Sequence, residues 1–258
     1  MLEVNNLTLA YDNNVIVDDM NFKIEKGKII SLIGANGCGK STLLKSLSRN
    51  LKPKKGAVYL DGEALVKMDT KLLAKRMSIL PQMPKAPDDF TARDLVSFGR
   101  YPYTGISGKL SKKDLEVVDW AIKETKMNHL QHRQVMTLSG GERQRAWIAL
   151  ALAQQPEVLM LDEPTTFLDI CYQYEVLELI NRLNKEFGIT IIMVLHDLNQ
   201  AARYSHEIIV MKDKNIYKRG KPKDIINEDL LKDVFNLKAK IFYDEENDSP
   251  YFLPLGIV

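Results

Sequence analysis

The chain has 258 residues, 27% of them charged and 45% apolar, with a net charge of +2. These values describe a folded α/β-sized chain and exclude disorder, a collagen repeat or a disulfide-stapled miniprotein. So small a net charge gives no mandate for nucleic acid, and the short lysine clusters read as solvated surface.

Two cysteines, Cys38 and Cys171, lack CxxC spacing and a histidine at zinc-like distance, so they read as reduced thiols. The start runs straight into Leu2-Glu3-Val4 without a basic segment and apolar stretch, so no signal peptide is expected. The longest apolar runs, around Ile189 to Leu195 and Ala146 to Ala153, fall short of the roughly 18 to 20 residues a transmembrane helix needs. Any membrane role is therefore expected to use another polypeptide.

In chain order, Leu2 to Ala10 alternates apolar and polar residues as a strand does. A turn at Asp12-Asn13-Asn14 and a second strand near Val15 to Ile24 follow. Ile29 to Ile33 is a β-branched strand, and Lys40 to Ser48 is an amphipathic helix. A further β pair is expected around Gly56 to Leu60 and the Asp61-Gly62 turn. A helix over Asp69 to Arg76 and a strand over Met77 to Leu80 come next. From Pro84 to Gln155 the period becomes helical, with caps expected at Thr91, Ser111 and Ser139. Strands then return at Val158 to Leu161, Thr190 to Leu195 and Ile208 to Met211. Helices are expected at Ile170 to Phe187 and from Leu198. Alternation of this kind predicts a parallel, helix-covered sheet. Leu230 to Phe235 reads as a short helix before a terminal hairpin.

Gly34-Ala35-Asn36-Gly37-Cys38-Gly39-Lys40-Ser41-Thr42 matches GxxxxGK[ST] between a strand and a helix. Glycines let successive N–H groups curl toward phosphate oxygens, and the helix dipole adds positive charge. Lys40 is expected at the terminal phosphates and the Ser41 hydroxyl on magnesium. A thiol at Cys38 in such a nest is expected to have a depressed pKa.

The strand Val158 to Leu161 ends in Asp162-Glu163, two acids at the carboxyl end where α/β sheets hold ligands. Asp162 suits the magnesium shell and Glu163 the polarisation of an attacking water. A second apolar strand ends in His196-Asp197, which points His196 toward the γ-phosphate and the water. Gln82, just past Met77 to Leu80, offers an amide to metal or water. In Leu138-Ser139-Gly140-Gly141-Glu142, Ser139 and Glu142 form a capping box, and the two glycines, expected to be exposed, make the same helix start an anion site.

Taken in order, the P-loop, Gln82, LSGGE, Leu-Asp-Glu and His196 resemble the ATP-binding-cassette ATPases over nearly the whole chain. The resemblance implies a P-loop NTPase (RecA-like) parallel-sheet core with an N-terminal antiparallel β subdomain and an inserted helical subdomain. On that reading 1–83 and 156–219 form the nucleotide-binding core, 84–155 the helical subdomain and 220–258 a C-terminal extension. It implies ATP and Mg2+ as cofactors, Tyr11 stacked on adenine, and Gly34, Asn36, Gly37, Cys38, Gly39, Lys40, Ser41 and Thr42 around the phosphates. Ser41, Gln82 and Asp162 serve the metal, while Glu163, His196 and Gln82 serve hydrolysis. A second copy, arranged head to tail, presents Ser139, Gly140, Gly141 and Glu142 to that ATP, with Asp169 in the dimer-contact loop.

Phe98-Gly99-Arg100-Tyr101-Pro102 and Pro164 to Ile170 are similar to importers of iron–siderophore complexes, haem and cobalamin. The implied partners are a transmembrane permease and an extracytoplasmic substrate-binding protein, with this chain at the cytoplasmic face of the membrane. Departures from the pattern are Glu142 for the commoner glutamine, Cys38 for serine or alanine, and Ala92-Arg93 for an aliphatic pair. The alternatives are a soluble mechanical ATPase acting on nucleic acid or ribosomes, and the ATPase of an exporter. Against the first, the stretch from Lys40 to Ser139 is short and shows no sustained heptads.

Overall fold

A computed structural model of the chain describes residues 1–105 and 108–258. The chain divides into one unit made of Met1–Lys67 and Thr190–Val258 and another made of Met68–Ile189.

The first unit opens with β1 (Leu2–Tyr11) and β2 (Asn14–Ile24), an antiparallel hairpin in which Leu2 faces Ile24 and Tyr11 faces Asn14. Leu2 and Val4 are buried on one side of a register shift and Leu7 and Leu9 beyond it, so the strand's alternation restarts at that irregularity. After β3 (Ile29–Gly34) and α1 (Lys40–Leu47), β4 (Lys55–Leu60) adds to the other edge of β1 and carries the short β5 (Glu63–Ala64). The antiparallel sheet order is β2-β1-β4-β5.

The second unit begins with α2 (Thr70–Arg76), capped by Asp69, and β6 (Met77–Leu80). Three helices follow, α3 (Ala92–Phe98), α4 (Lys112–Glu124) and α5 (Gly140–Ala153). Thr91, Ser111 and Ser139 cap them, each in a reciprocal capping box with the acid three residues on. Next, β7 (Val158–Asp162) pairs in parallel with β6, from Met77 opposite Val158 to Leu80 opposite Leu161. Last comes α6 (Ile170–Phe187), which stops at Gly188, a C-cap at φ 66°.

The first unit resumes with β8 (Thr190–Val194), α7 (Leu198–Tyr204), β9 (Glu207–Lys212) and β10 (Asn215–Gly220). Strand β3 lies between β8 and β9 and is parallel to both, whereas β10 returns antiparallel along β9. All residues of β3 and β8 are buried, as expected of strands covered on both faces. The unit ends in α8 (Pro222–Ile225), α9 (Glu228–Phe235) and a separate hairpin, β11 (Leu237–Asp244) with β12 (Ser249–Ile257). Strand β10 and helix α8 were not anticipated. The β9–β10 turn is Asp213-Lys214, both left-handed at φ 47° and 68°, without the Asn-Gly or Asp-Gly pair that usually announces such a turn.

Candidate functional site

In the first unit, β3 delivers Gly34 at its carboxyl end. A Cβ there would lie 2.2 Å from the Met211 carbonyl oxygen on β9, so only glycine lets the chain leave the sheet at this point. Gly37 and Gly39 take positive φ values of 78° and 102°, which bend the loop back toward the helix axis. The first turn of α1 carries Ser41 and Thr42, and its N-cap, Gly39, supplies no side chain to the helix N–H groups. This is the physical contrast with α3, α4 and α5, whose first turns are closed by capping boxes. An uncapped start with no acid in the first turn leaves N–H groups and the positive dipole end for an anion.

Lys40 is buried, and its Nζ donates to the carbonyl oxygens of Gly34 at 2.9 Å and Ala35 at 3.0 Å. Its charge is thus held against its own loop, beside the exposed Asn36 and Gly37. Tyr11, at the end of β1, is 45% exposed. His196 leaves β8 two residues past Val194, which pairs with Leu32, just as Gly34 lies two residues past Leu32. The exposed His196 and the loop therefore leave neighbouring parallel strands at the same edge. Asp197 caps α7 by accepting from the Gln200 N–H at 2.9 Å.

The expectation for Cys38 is corrected. Burial pushes its thiol above the ordinary value and outweighs the lowering by the Lys40 charge and by backbone N–H groups. Half removed from water beside a cation already engaged with two carbonyls, the thiolate is not favoured.

In the second unit, the parallel register of β6 and β7 sets Gln82 beside the acid pair. Gln82 Nε2 donates to Glu163 Oε2, and Thr166 Oγ1 donates to the same oxygen at 3.1 Å. Asp162 is buried as the last residue of β7. Glu163 sits at φ 53° and Phe167 at φ 63°, both left-handed without being glycine. Such positions cost about 1–2 kcal/mol each and concentrate where a side chain must be aimed. The turn between β7 and α6 thus stores strain to hold the Glu163 carboxylate against Gln82 and Thr166. Sequence reasoning missed Thr166, although its place three residues after Glu163 in a Thr-Thr turn was the available signal.

Ser139 caps α5, and its own N–H donates to Glu142 Oε2 at 2.9 Å. That backbone donor holds the Glu142 carboxyl below its usual range; burial opposes it, and the Ser139 hydroxyl, Arg133 and Arg145 assist. Gly140 is exposed, but Gly141 is buried, which corrects the expectation of two exposed glycines. A Cβ on Gly141 would lie 2.5 Å from Tyr172 Cδ1, so the ring of α6 occupies the space a side chain would need. Asp169 is the exposed N-cap of α6 and makes no side-chain capping bond.

The Phe98-Gly99-Arg100-Tyr101-Pro102 segment is built around Arg100, which is 2% exposed. Its Nε donates to Asp114 at 2.9 Å, its Nη1 to the Ala153 carbonyl at 2.8 Å, and it lies 3.6 Å from the Tyr103 ring centroid. Ala92 is buried, and Arg93 pairs with Asp119 at 2.6 Å, so this unusual pair has one core and one surface member.

The ABC transporter family model matches residues 17–166. The chain belongs to the ABC transporter family. It is 49% identical over 257 residues to the iron(3+)-hydroxamate import ATP-binding protein FhuC of Bacillus subtilis (strain 168), covering all of this chain and 96% of that one. A solved structure described as a metal-chelate type ABC transporter in an inward-facing conformation superposes with TM-score 0.86 and 29% identity. It covers 99% of this chain and 97% of its own. The ATP-binding cassette MJ0796, solved as a dimer after hydrolysis with ADP and Pi, superposes with TM-score 0.75 and 28% identity, covering 86% of this chain and 98% of its own.

Members of this family bind ATP, dimerise and work with membrane permeases, so the chain is an ABC-type transport ATPase. The fold expectation, a P-loop core with an antiparallel N-terminal sheet, holds. Among the described residues no helix is long and apolar enough to cross a membrane.

Proposed function

We propose that the chain is the ATPase of an importer of iron–siderophore or related metal-chelate complexes. The observation that carries this is the 49% identity to the iron(3+)-hydroxamate import protein over the entire chain, not only at the phosphate motifs. The structural likeness to a metal-chelate type transporter supports it independently.

At the site, the open α1 terminus and the glycine turns receive the phosphates, and Tyr11 receives the adenine. Lys40 exchanges two loop carbonyls for phosphate oxygens. Such an exchange conserves its hydrogen bonds while adding charge attraction, so it favours the bound state. The residues also fit magnesium. Ser41, Asp162 and Gln82 offer hard oxygen donors. Among the described residues no group of three or more His, Cys, Asp or Glu is placed to hold a metal ion by itself, and a cation that takes part of its shell from phosphates needs none. When bound, Mg2+ neutralises charge on the terminal phosphates.

Glu163 orients and deprotonates the attacking water, with Gln82 and Thr166 fixing its carboxylate. His196 contacts the γ-phosphate from the neighbouring strand end. A second copy supplies Ser139, Gly140, Gly141 and Glu142, with Asp169 at the contact. The partners are that second copy, a transmembrane permease and an extracytoplasmic binding protein, and the chain acts at the cytoplasmic face of the membrane.

The test is reconstitution in proteoliposomes with a candidate permease and binding protein. ATP hydrolysis stimulated by a ferric hydroxamate complex supports the proposal. Stimulation only by a ligand that carries no metal chelate refutes it.

A further inference from the structure

The C-terminal hairpin carries a face that nothing in its own unit covers. From the pairing of β11 with β12, Phe242 lies opposite Tyr251 and Lys240 opposite Leu253. The Phe242 and Tyr251 rings stack at 5.4 Å. On this face Tyr251 (45%) and Leu253 (54%) stay exposed, with Leu255 (58%) beside them at a register shift, beyond which Ile257 pairs with Leu237 on the opposite face. Together these amount to roughly 300 Å² of largely apolar surface, within the range of the exposed patches that often carry function. The inner face is fixed. Asn199 on α7 accepts from the Phe252 N–H at 3.0 Å and donates to its carbonyl at 3.3 Å, and Lys223 pairs with Asp248 at 2.8 Å. The patch therefore belongs to a hairpin that is paired along its length and anchored near its turn.

Its charge is polarised along the hairpin. Exposed Lys238 and Lys240 stand toward the open end, and Asp244, Glu245, Glu246 and Asp248 cluster at the turn. A surface with an apolar strip between a basic and an acidic end is complementary to itself when two copies meet antiparallel across a two-fold axis. We infer that the β11–β12 hairpin is a contact between two copies of this chain, with Tyr251, Leu253 and Leu255 packed across the axis and the lysine end of each hairpin over the acidic turn of the other. Pro254 removes a backbone donor from β12, so the contact is made by side chains rather than by adding a strand.

The patch is smaller than the ~800 Å² per partner of a stable interface. It acts beside the ATP-held contact of the proposed dimer, on which the inference rests, by raising the effective concentration of the second copy. Asn199, which anchors the hairpin, lies in the first turn of α7, and His196, of the proposed γ-phosphate contact, immediately precedes that helix's N-cap, Asp197.

Sedimentation equilibrium of the full chain carrying Glu163→Gln, with Mg-ATP, tests this. Leu253→Asp should raise the dimer dissociation constant at least tenfold, and Lys240→Glu or Glu246→Lys alone several-fold. The double reversal Lys240→Glu with Glu246→Lys should return it to within twofold of the parent. Because Leu253 and both charged residues are exposed, unchanged ATP affinity of each variant verifies its fold. A parent that dimerises while the hairpin variants do so equally well overturns the hairpin contact alone, as does failure of the double reversal to restore it. A parent that stays monomeric with Mg-ATP refutes the dimer reading and takes the hairpin contact with it. Loss of permease co-purification in Leu253→Asp with dimerisation intact assigns the patch to the permease and overturns the proposal.

Discussion

Replacing Gly141 by alanine should weaken the second unit, although alanine is ordinarily the better helix former. A mid-helix Gly→Ala exchange gains at most about 1 kcal/mol, and less in the first turn. Against that, the added Cβ would stand 2.5 Å from Tyr172 Cδ1, 2.8 Å from Cγ and 3.1 Å from Cβ. The first two distances matter most, since atoms this close must move and Tyr172 Cγ, bonded directly to the fixed Cβ, clears the added methyl only by leaving its rotamer. Overpacking of this kind costs about 1–3 kcal/mol, so the net effect is a loss of about 1–2 kcal/mol. Because the start of α5 must shift, ATP turnover should fall as well. Urea unfolding of Gly141→Ala, Tyr172→Ala and the double variant measures the coupling directly. Removing the ring should make the alanine harmless, giving a coupling of about 1–2 kcal/mol. A stabilised Gly141→Ala with strictly additive effects would refute the contact.

Arg100→Met should cost about 3–5 kcal/mol in thermal or urea unfolding, since it strands Asp114, whose side chain is only 10% exposed. Burial pushes the Asp114 carboxyl upward, yet Ser111 and Arg100 outweigh it and hold the folded value below the usual range. The contribution of Asp114 is thus present in full above about pH 4 and is lost as pH falls through the lowered folded value. The gap between wild type and Asp114→Asn should accordingly close in acid, and a pH-independent gap would contradict the assignment. Alkylation of Cys38 should be slow at neutral pH, accelerate as pH rises and be suppressed by Mg-ATP, read by mass spectrometry of the labelled peptide. Rapid labelling at neutral pH would contradict the raised thiol.

Helix starts were the most legible feature. Thr91 with Asp94, Ser111 with Asp114 and Ser139 with Glu142 all write their caps locally, in residues three apart. Helix α6 was equally plain because Gly188 closes an unbroken amphipathic run. What stayed hidden depends on packing between distant segments. Nothing near Gly141 announces Tyr172, and nothing near Arg100 announces Asp114 and Ala153 as the groups that let it be buried. The Cys38 expectation failed for a related reason. Motif logic counts the N–H groups around the thiol but not the water removed from it, and here the latter dominates. Strand β10 was obscured by its half-exposed, mixed sequence after a turn of unusual residues.

The central claim is that this loop grips triphosphate and that Glu163 drives its cleavage. The most direct measurement compares Mg-ATP binding and phosphate release by the purified wild type, Glu163→Gln and Lys40→Ala. Wild type should bind and hydrolyse, Glu163→Gln should bind with turnover reduced by about 10²–10⁴, and Lys40→Ala should lose affinity. Near wild-type hydrolysis in Glu163→Gln, or no affinity of the wild type for Mg-ATP, would contradict it.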